Sequence, residues 1–250
     1  MKGKLRGRNK YQMHLAFQEN KELQLHLPHT LMWNKANLYL MLNKHKAVVV
    51  KPTNGKQGQN IFFVKKMNAN YLIQFNKNKI KMKNREEVFH YINKIAGKRK
   101  FMIQQEIDLA KIDGRRFDFR IIIQRRTINE DWVVNGMIVR KAGYKYKVTN
   151  LRRHGEVLSL EEALEEINLK DEEKIYKVEE IKKLAYMAAV MLGRKYPKQR
   201  IFGADIGMTK NGYLYIFELN RWPLLKGFKA LEDQTQYKRI MKYKNKFKKR

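Results

Sequence analysis

The 250-residue sequence predicts an α+β protein whose antiparallel strands build two lobes, one spanning about 47–110 and the other about 111–225. Three observations carry that expectation. Gly203 to Pro223, GADIGMTKNGYLYIFELNRWP, alternates apolar and polar residues on both sides of Asn211-Gly212, a dipeptide that tolerates positive φ and closes tight hairpins. Ala47 to Lys65 reads as a short buried strand, a loop holding two glycines and a second strand. Apolar residues at helical spacing recur in separate stretches, over 84–96 and 159–192.

The elements follow in order. Residues 1–46 begin with a basic segment, and Leu31, Leu38 and Leu42 then recur at helical intervals, with Thr30 placed to cap that helix. Val48 to Val50 form a strand that delivers Lys51 to a loop containing Gly55 and Gly58 before Ile61 to Lys65. Such a loop can lay backbone N–H groups and one ammonium along phosphates, and it can equally be plain turn chemistry. Its Gly55-Lys-Gln-Gly58 matches the GxxG clamp of KH-type RNA-binding modules, but that clamp joins two helices and this loop follows a strand. Val88, Ile92 and Ile95 mark a helix stopped by Gly97. Phe101 to Leu109 reads as a strand with a polar Gln104-Gln105-Glu106 centre, suited to a hinge that reads a base edge or to an edge strand.

Asp113-Gly114 turns the chain into the strand Phe117 to Gln124, where Asp118 and Arg120 share one face, as an ion pair or as a guanidinium aimed at phosphate. Trp132 to Lys141 returns with Arg140 near its end, and Val148 to Gly155 forms a basic loop. Ser159 and Glu162 make a capping box. A longer helix carries Ile181, Leu184, Ala188 and Leu192 at core spacing and is expected to end at Gly193. Residues 226–250 are a basic tail, readable either as an amphipathic helix on Tyr237, Ile240 or Met241, and Phe247 or as a partly disordered segment.

If Asn211-Gly212 is a two-residue turn, Asp205 lies opposite Glu218 and Gly203 opposite Asn220. Asp205, Glu218 and Asn220 then share one face, while Ala204, Ile206, Met208, Tyr215, Phe217 and Leu219 enter a core. A three-residue loop breaks that alternation and is set aside. Two carboxylates and a carboxamide on one face are hard oxygen ligands suited to Mg²⁺ or Mn²⁺ holding nucleotide phosphates; a merely polar outer face gives the same pattern.

Composition limits the partners. A formal charge of +31 attracts polyanions: nucleotides, nucleic acid, anionic cell-wall or spore polymers, or acidic membrane surfaces. Ten of the 24 acidic residues fall between Glu156 and Glu180, leaving the rest more basic still. The absence of cysteine excludes a thiol nucleophile, a thiolate metal site and disulfides. The six histidines show no metal-ligand spacing. The longest apolar run, Leu184 to Leu192, is far short of a membrane span, and no apolar segment follows the basic N-terminus. The expectation is a cytoplasmic protein without a transmembrane segment.

The lines VVVKPTNGKQGQNI, DGRRFDFRIIIQR, VTNLRRHG and GADIGMTKNGYLYIFELNRWP, in this order, resemble the ATP-grasp superfamily, within it the YheC/YheD-like, endospore coat-associated branch. The resemblance covers about 47–225. It implies two α+β lobes gripping ATP, with Lys51 on the α- and β-phosphates, Gly55 and Gly58 covering them, and Gln105, Glu106 and Ile107 lining the adenine pocket. It further implies Asp118 near the ribose or neighbouring phosphate, Arg120 and Arg140 toward the transferred group, and Mg²⁺ on Asp205, Glu218 and Asn220. Asn150 falls in the family's substrate-side loop. The implied chemistry is ATP-dependent activation of a carboxylate as an acylphosphate, opened by an amine or similar nucleophile, with both substrates unidentified. The resemblance also implies association with the spore coat. Ahead of the first lobe stand only residues 1–46, so a partner, a reduced acceptor site or a loss of turnover is expected in place of the substrate domain that often precedes this core. The rival reading is a non-catalytic basic protein that binds nucleic acid or an anionic spore or cell-envelope polymer.

Overall fold

The computed structural model describes residues 4, 5, 7–55, 58–167 and 169–245. The chain divides into two compact units, one comprising Arg8–Tyr11 and Pro28–Ile107, the other Met1–Gly7, Gln12–Leu27 and Asp108–Arg250. The leading 46 residues thus form no unit of their own. Their two short helices, Lys10–Phe17 (α1) and Lys21–Leu25 (α2), place Met13, Phe17 and Leu23 in the core of the second unit, whereas Thr30–Met32 (β1) and Lys35–Lys44 (α3) belong to the first.

The first unit adds Ala47–Pro52 (β2), Phe62–Lys66 (β3), Tyr71–Phe75 (β4), Asn78–Met82 (β5), Arg85–Ala96 (α4) and Phe101–Gln105 (β6). Its antiparallel sheet runs in the order β1-β6-β2-β3-β4-β5. Alternation sets its two faces: Val48, Val50, Ile103 and Ile73 pack with Leu38, Val88 and Ile92 from α3 and α4, which turns Val49 and Lys51 to the opposite face. Asn84 caps α4 by accepting from Glu87 N–H (2.9 Å), and Gly97 ends it at φ +56°. Thr30, expected as a helix cap, is a strand residue; the cap of α3 is Asn34, which accepts from Asn37 N–H at 2.7 Å. The hairpin of β4 and β5 was not read from the sequence, although Asn76 at φ +57° supplies its turn.

The second unit contains Lys111–Ile112 (β7), Arg115–Gln124 (β8), Val133–Lys141 (β9), Glu156–Leu158 (β10), Leu160–Glu166 (α5), Asp171–Lys195 (α6), Ile201–Met208 (β11), Leu214–Asn220 (β12), Lys226–Ala230 (α7) and Thr235–Asn245 (α8). Its main sheet is antiparallel in the order β10-β9-β8-β11-β12, with β7 pairing β8 outside that path. The predicted capping box of Ser159 and Glu162 forms at α5. One face of the sheet carries Phe117, Phe119, Ile121, Ala204, Ile206 and Leu219, and α6 covers it with Ile181, Leu184, Ala188 and Leu192. Helix α6 runs through Gly193 to Lys195 instead of stopping there, and the glycine serves packing: a Cβ would lie 3.0 Å from the Trp132 indole nitrogen.

The β11–β12 hairpin departs from expectation in an informative way. Its loop has three residues, Lys210 to Gly212, closed by Thr209 N–H donating to the Tyr213 carbonyl (2.9 Å), with Gly212 at φ +78°. Near the turn Met208 pairs with Leu214 and Ile206 with Ile216; the register then shifts, and beyond the shift Asp205 pairs with Glu218 and Gly203 with Asn220. Phe217 is the extra residue of a β-bulge. The bulge restores the register that the longer loop removes, so Leu214 and Ile216 enter the core where Tyr215 and Phe217 were expected.

The segment after β12 is packed structure as far as Asn245, and Phe247 lies outside the described residues. Phe228 and Ile240 join Ile122, Ile138 and Ile201 in a second core on the opposite sheet face. At about 1.5–3 kcal/mol for each fully buried apolar side chain, the two residues supply a large part of what holds α7 and α8 in place. Asn135, bulged out of β9, accepts Arg239 Nε–H on its carbonyl (2.7 Å) and donates its amide to Gln124 Oε1 (2.9 Å).

Candidate functional site

Two groups of the sequence-selected residues assemble, one in each unit. In the first, Lys51 Nζ donates to Gln104 Oε1 (2.8 Å), Gln104 Nε2 donates to Thr30 Oγ1 (2.8 Å), and Thr30 Oγ1 donates to the Pro28 carbonyl (2.7 Å). All three side chains are buried. Cross-strand pairing explains the set: Gln104 is the partner of both Val49 and Thr30, which puts it on the face that Lys51 uses. Sequence reasoning singled out Gln105, Glu106 and Ile107 and missed Gln104 and Thr30 as partners of Lys51, since only the register decides which glutamine lies beside the lysine. The N–H of Gln105 goes to the His29 carbonyl (2.8 Å) and that of Glu106 to the Ala47 carbonyl (3.0 Å), while Ile107 is buried and is the last residue of the unit. Gly55 lies three residues beyond the end of β2, after Thr53 and Asn54, and Gly58 adopts φ +67°; Lys56 and Gln57, between them, lie outside the described residues.

In the second unit a single sheet face, on the side away from α6, carries the charged residues. Four strands place them in register: Arg120 of β8 opposite Asp205 of β11, Asp205 opposite Glu218 of β12, and Asp118 of β8 opposite Arg140 of β9. Arg120 makes a two-pronged pair with Asp205, Nε to Oδ1 at 2.6 Å and Nη2 to Oδ2 at 3.0 Å. Arg140 makes the same fork with Asp118, both contacts at 2.7 Å, and its Nη2 also reaches Asp205 Oδ1 at 3.2 Å. Thr149 completes the set by donating its hydroxyl to Asp118 Oδ2 at 2.5 Å. Nothing in the sequence spacing pointed to Thr149. Forked guanidinium–carboxylate pairs fix both partners in plane and in position, which a lysine could not do.

Two arginines against two aspartates leave this quartet neutral; Asp118, Arg120 and Asp205 are buried and the Arg140 side chain is only 14% exposed, so each charge depends on the others. Burial pushes the Asp118 carboxyl up, and the adjacent Asp205 charge adds to that, while Arg140 pulls it down. Burial also works against the Arg140 charge, but Asp118 and Asp205 outweigh it and hold the guanidinium above its ordinary range. The quartet is therefore an electrostatic unit in which Asp205 is the shared anion.

Glu218, half-buried, and Asn220, buried, lie on the same hairpin as Asp205. Two carboxylates and a carboxamide fit a hard divalent cation by donor chemistry, and an Asp205 oxygen that accepts from Arg120 still has a second lone-pair direction. Among the described residues no three His, Cys, Asp or Glu side chains converge on a metal-sized site. Asn220 and oxygens brought by a ligand would have to complete the coordination. Asn150 shapes the loop that presents Thr149: its side chain accepts from Arg152 N–H (2.9 Å) and its carbonyl from Arg153 N–H (2.8 Å). Among the described residues, no helix is long and apolar enough to cross a membrane.

The chain is similar to known proteins over nearly its whole length. The family model for YheC/D-like ATP-grasp proteins matches residues 4–249. The endospore coat-associated protein YheD of Bacillus subtilis (strain 168) is 24% identical over 227 residues, covering 86% of this chain and 48% of YheD, so the chain spans about half the length of that relative. Among solved structures, D-cycloserine synthetase DcsG superposes with a TM-score of 0.58 at 10% identity, covering 96% of this chain and 70% of that one. The ATP-grasp ligase PsnB, solved with a phosphomimetic variant of its minimal precursor, Mg and ADP, gives a TM-score of 0.51 at 14% identity, covering 89% and 53%. These likenesses show an ATP-grasp fold in the α+β class. With two antiparallel sheets and a family match across residues 4–249, the chain belongs to the YheC/D-like ATP-grasp family.

Proposed function

We propose that the protein binds Mg-ATP and acts as an ATP-dependent ligase that activates a carboxylate for attack by an amine or similar nucleophile. The observation that carries this reading is the row Arg120, Asp205, Glu218 on adjacent strands, with Arg140 bridging to Asp205 and Asn220 beside it on β12. Family membership and the ligase structures that share the fold support it.

Each residue takes a role set by its surroundings. Lys51, steadied by Gln104, places an ammonium on the α- and β-phosphates, and the chain at Gly55 and Gly58 covers them. The N–H groups of Gln105 and Glu106 are already used, so adenine recognition falls to the remaining backbone groups of Gln105 to Ile107. Arg120 and Arg140 stabilise charge on the phosphoryl group in transfer. Asp118 acts by holding Arg140 and Thr149 in place instead of meeting the ribose itself. Asp205, Glu218 and Asn220 hold Mg²⁺ or Mn²⁺, which when bound neutralises phosphate charge and orients the nucleotide. Asn150 is the substrate-side candidate. Association with the spore coat is proposed from the YheD relative.

Calorimetry of ATP with Mg²⁺ at near-physiological salt tests the reading. Saturable binding is expected in the wild type and its loss in both Glu218→Gln and Lys51→Ala. No binding in the wild type would overturn it and favour the second reading, which the +31 charge supports: a non-catalytic binder of an anionic polymer, with affinity that falls steeply with salt and does not respond to nucleotide.

A further inference from the structure

A second feature lies in the first unit, on the sheet face that α3 and α4 cover and therefore on the face opposite Lys51. The β3–β4 turn, the start of α4 and one side of α3 border a cavity of about 520 Å³. Tyr39 and Tyr71 form its aromatic walls, and Lys66, Lys83 and Arg85 supply positive charge. Tyr71 belongs to the core that contains Val48 and Val50, one strand position removed from Lys51, so the cavity and the lysine are on different sides of one sheet.

Arg85 is the informative residue. Its Nε–H donates to the Tyr71 hydroxyl at 2.9 Å, and its guanidinium carbon lies 5.3 Å from the centre of the Tyr39 ring. Two restraints thus fix the plane of a half-buried guanidinium, and among the described residues neither terminal nitrogen is engaged in an ion pair. The carboxylate in the cavity wall does not neutralise it: Glu86 is taken by Lys35 at 2.7 Å and by the Tyr39 hydroxyl at 2.8 Å. The nearby Glu87 accepts from the backbone N–H of Lys83 at 2.8 Å. Lys66 and Lys83 have no ion pair among the described residues. A pre-oriented guanidinium with its fork available, flanked by two ammonium groups and walled by aromatic rings, matches a compact oxyanion with at least two acceptor oxygens on one face.

We propose that this cavity is a binding site for a small phosphate-bearing anion, of the phosphate-monoester or diphosphate class, separate from the nucleotide site and not dependent on the ligase reading. Inorganic pyrophosphate is the probe, titrated calorimetrically at near-physiological salt into the wild type and variants. Saturable binding is expected in the wild type, and in Lys51→Ala, where the nucleotide site is disabled, one site of unchanged affinity should remain. Arg85→Gln should weaken it at least about 10-fold. The double variant Lys66→Gln/Lys83→Gln, which alters only exposed side chains and leaves the Tyr71 contact intact, should weaken it as well. A control pair outside the cavity, Lys94→Gln/Lys98→Gln, should leave it unchanged. The proposal is overturned if no saturable binding occurs, if both cavity variants bind as the wild type does, if Lys51→Ala abolishes the binding, or if the control pair weakens it equally, which would mean general attraction to a highly basic protein.

Discussion

At the residue scale the buried quartet separates stability from function. Asp118 gives both carboxylate oxygens to Arg140 and one also to Thr149, so removing its charge leaves a largely desolvated guanidinium with Asp205 as its remaining anion. Breaking one side of such a pair costs about 3–5 kcal/mol. Asp118→Asn keeps the volume and one acceptor, so a loss near the lower end of that range is expected in urea unfolding. Glu218 sits at the half-buried end of the same row, and Glu218→Gln should change the unfolding midpoint little while removing Mg-dependent nucleotide binding. If Asp118→Asn leaves stability unchanged, the quartet is not the electrostatic unit its geometry describes. The pair of variants also checks the assigned roles, because a positioning residue and a ligand-holding residue should differ in this way.

At the level of elements, β9 ties the C-terminal helices to the sheet face that carries the quartet. Gly136 pairs with Ile122, and a Cβ there would lie 2.6 Å from Phe228 and 2.9 Å from Ile240. Gly136→Val therefore must displace α7 and α8, with a loss of about 1–3 kcal/mol for overpacking and faster proteolysis within 226–245. Retained protease resistance would show that the helices are held by other contacts. None of this was legible in the sequence, because residues 226–250 read as a basic tail, either an amphipathic helix or a partly disordered segment, and Phe228 acquires its partners only through the fold. By contrast, the Asp205–Glu218 and Gly203–Asn220 pairings expected from a two-residue turn do form, but through a three-residue loop and a compensating bulge that the sequence reading did not contain. Alternation left two solutions, because a longer loop with a compensating bulge produces the same pairing near the site as a shorter loop without one, and only the core positions next to the turn tell them apart. The Lys51–Gln104–Thr30 chain was illegible for a related reason: it joins three strands whose mutual register no local pattern contains. Helix caps were legible where side chain and spacing agree, as at Ser159 and Glu162. They failed at Thr30, where strand pairing with Gln104 prevails over local preference.

Charge belongs to the molecule as a whole. With 55 lysines and arginines against 24 acidic residues, 31 cations remain even if every carboxylate neutralises one. Exposed pairs such as Lys35–Glu86 and Lys183–Glu22 contribute little to stability and weaken as salt is added. The uncompensated cations repel one another over longer distances, and that repulsion opposes the compact state. The screening length falls from about 30 Å at 0.01 M to about 8 Å at 0.15 M salt, which removes repulsion between distant charges while leaving the buried quartet largely unscreened. The two effects of salt have opposite signs, and the excess of 31 decides between them. In urea, which is uncharged, the unfolding midpoint at pH 7 is therefore expected to rise as sodium chloride increases over that range, with the slope of the transition unchanged. Guanidinium chloride would conceal the effect by screening the charges itself. A midpoint that stays flat or falls would mean that the fold already pairs cations with anions locally, and it would weaken the case that long-range repulsion limits the stability of this protein.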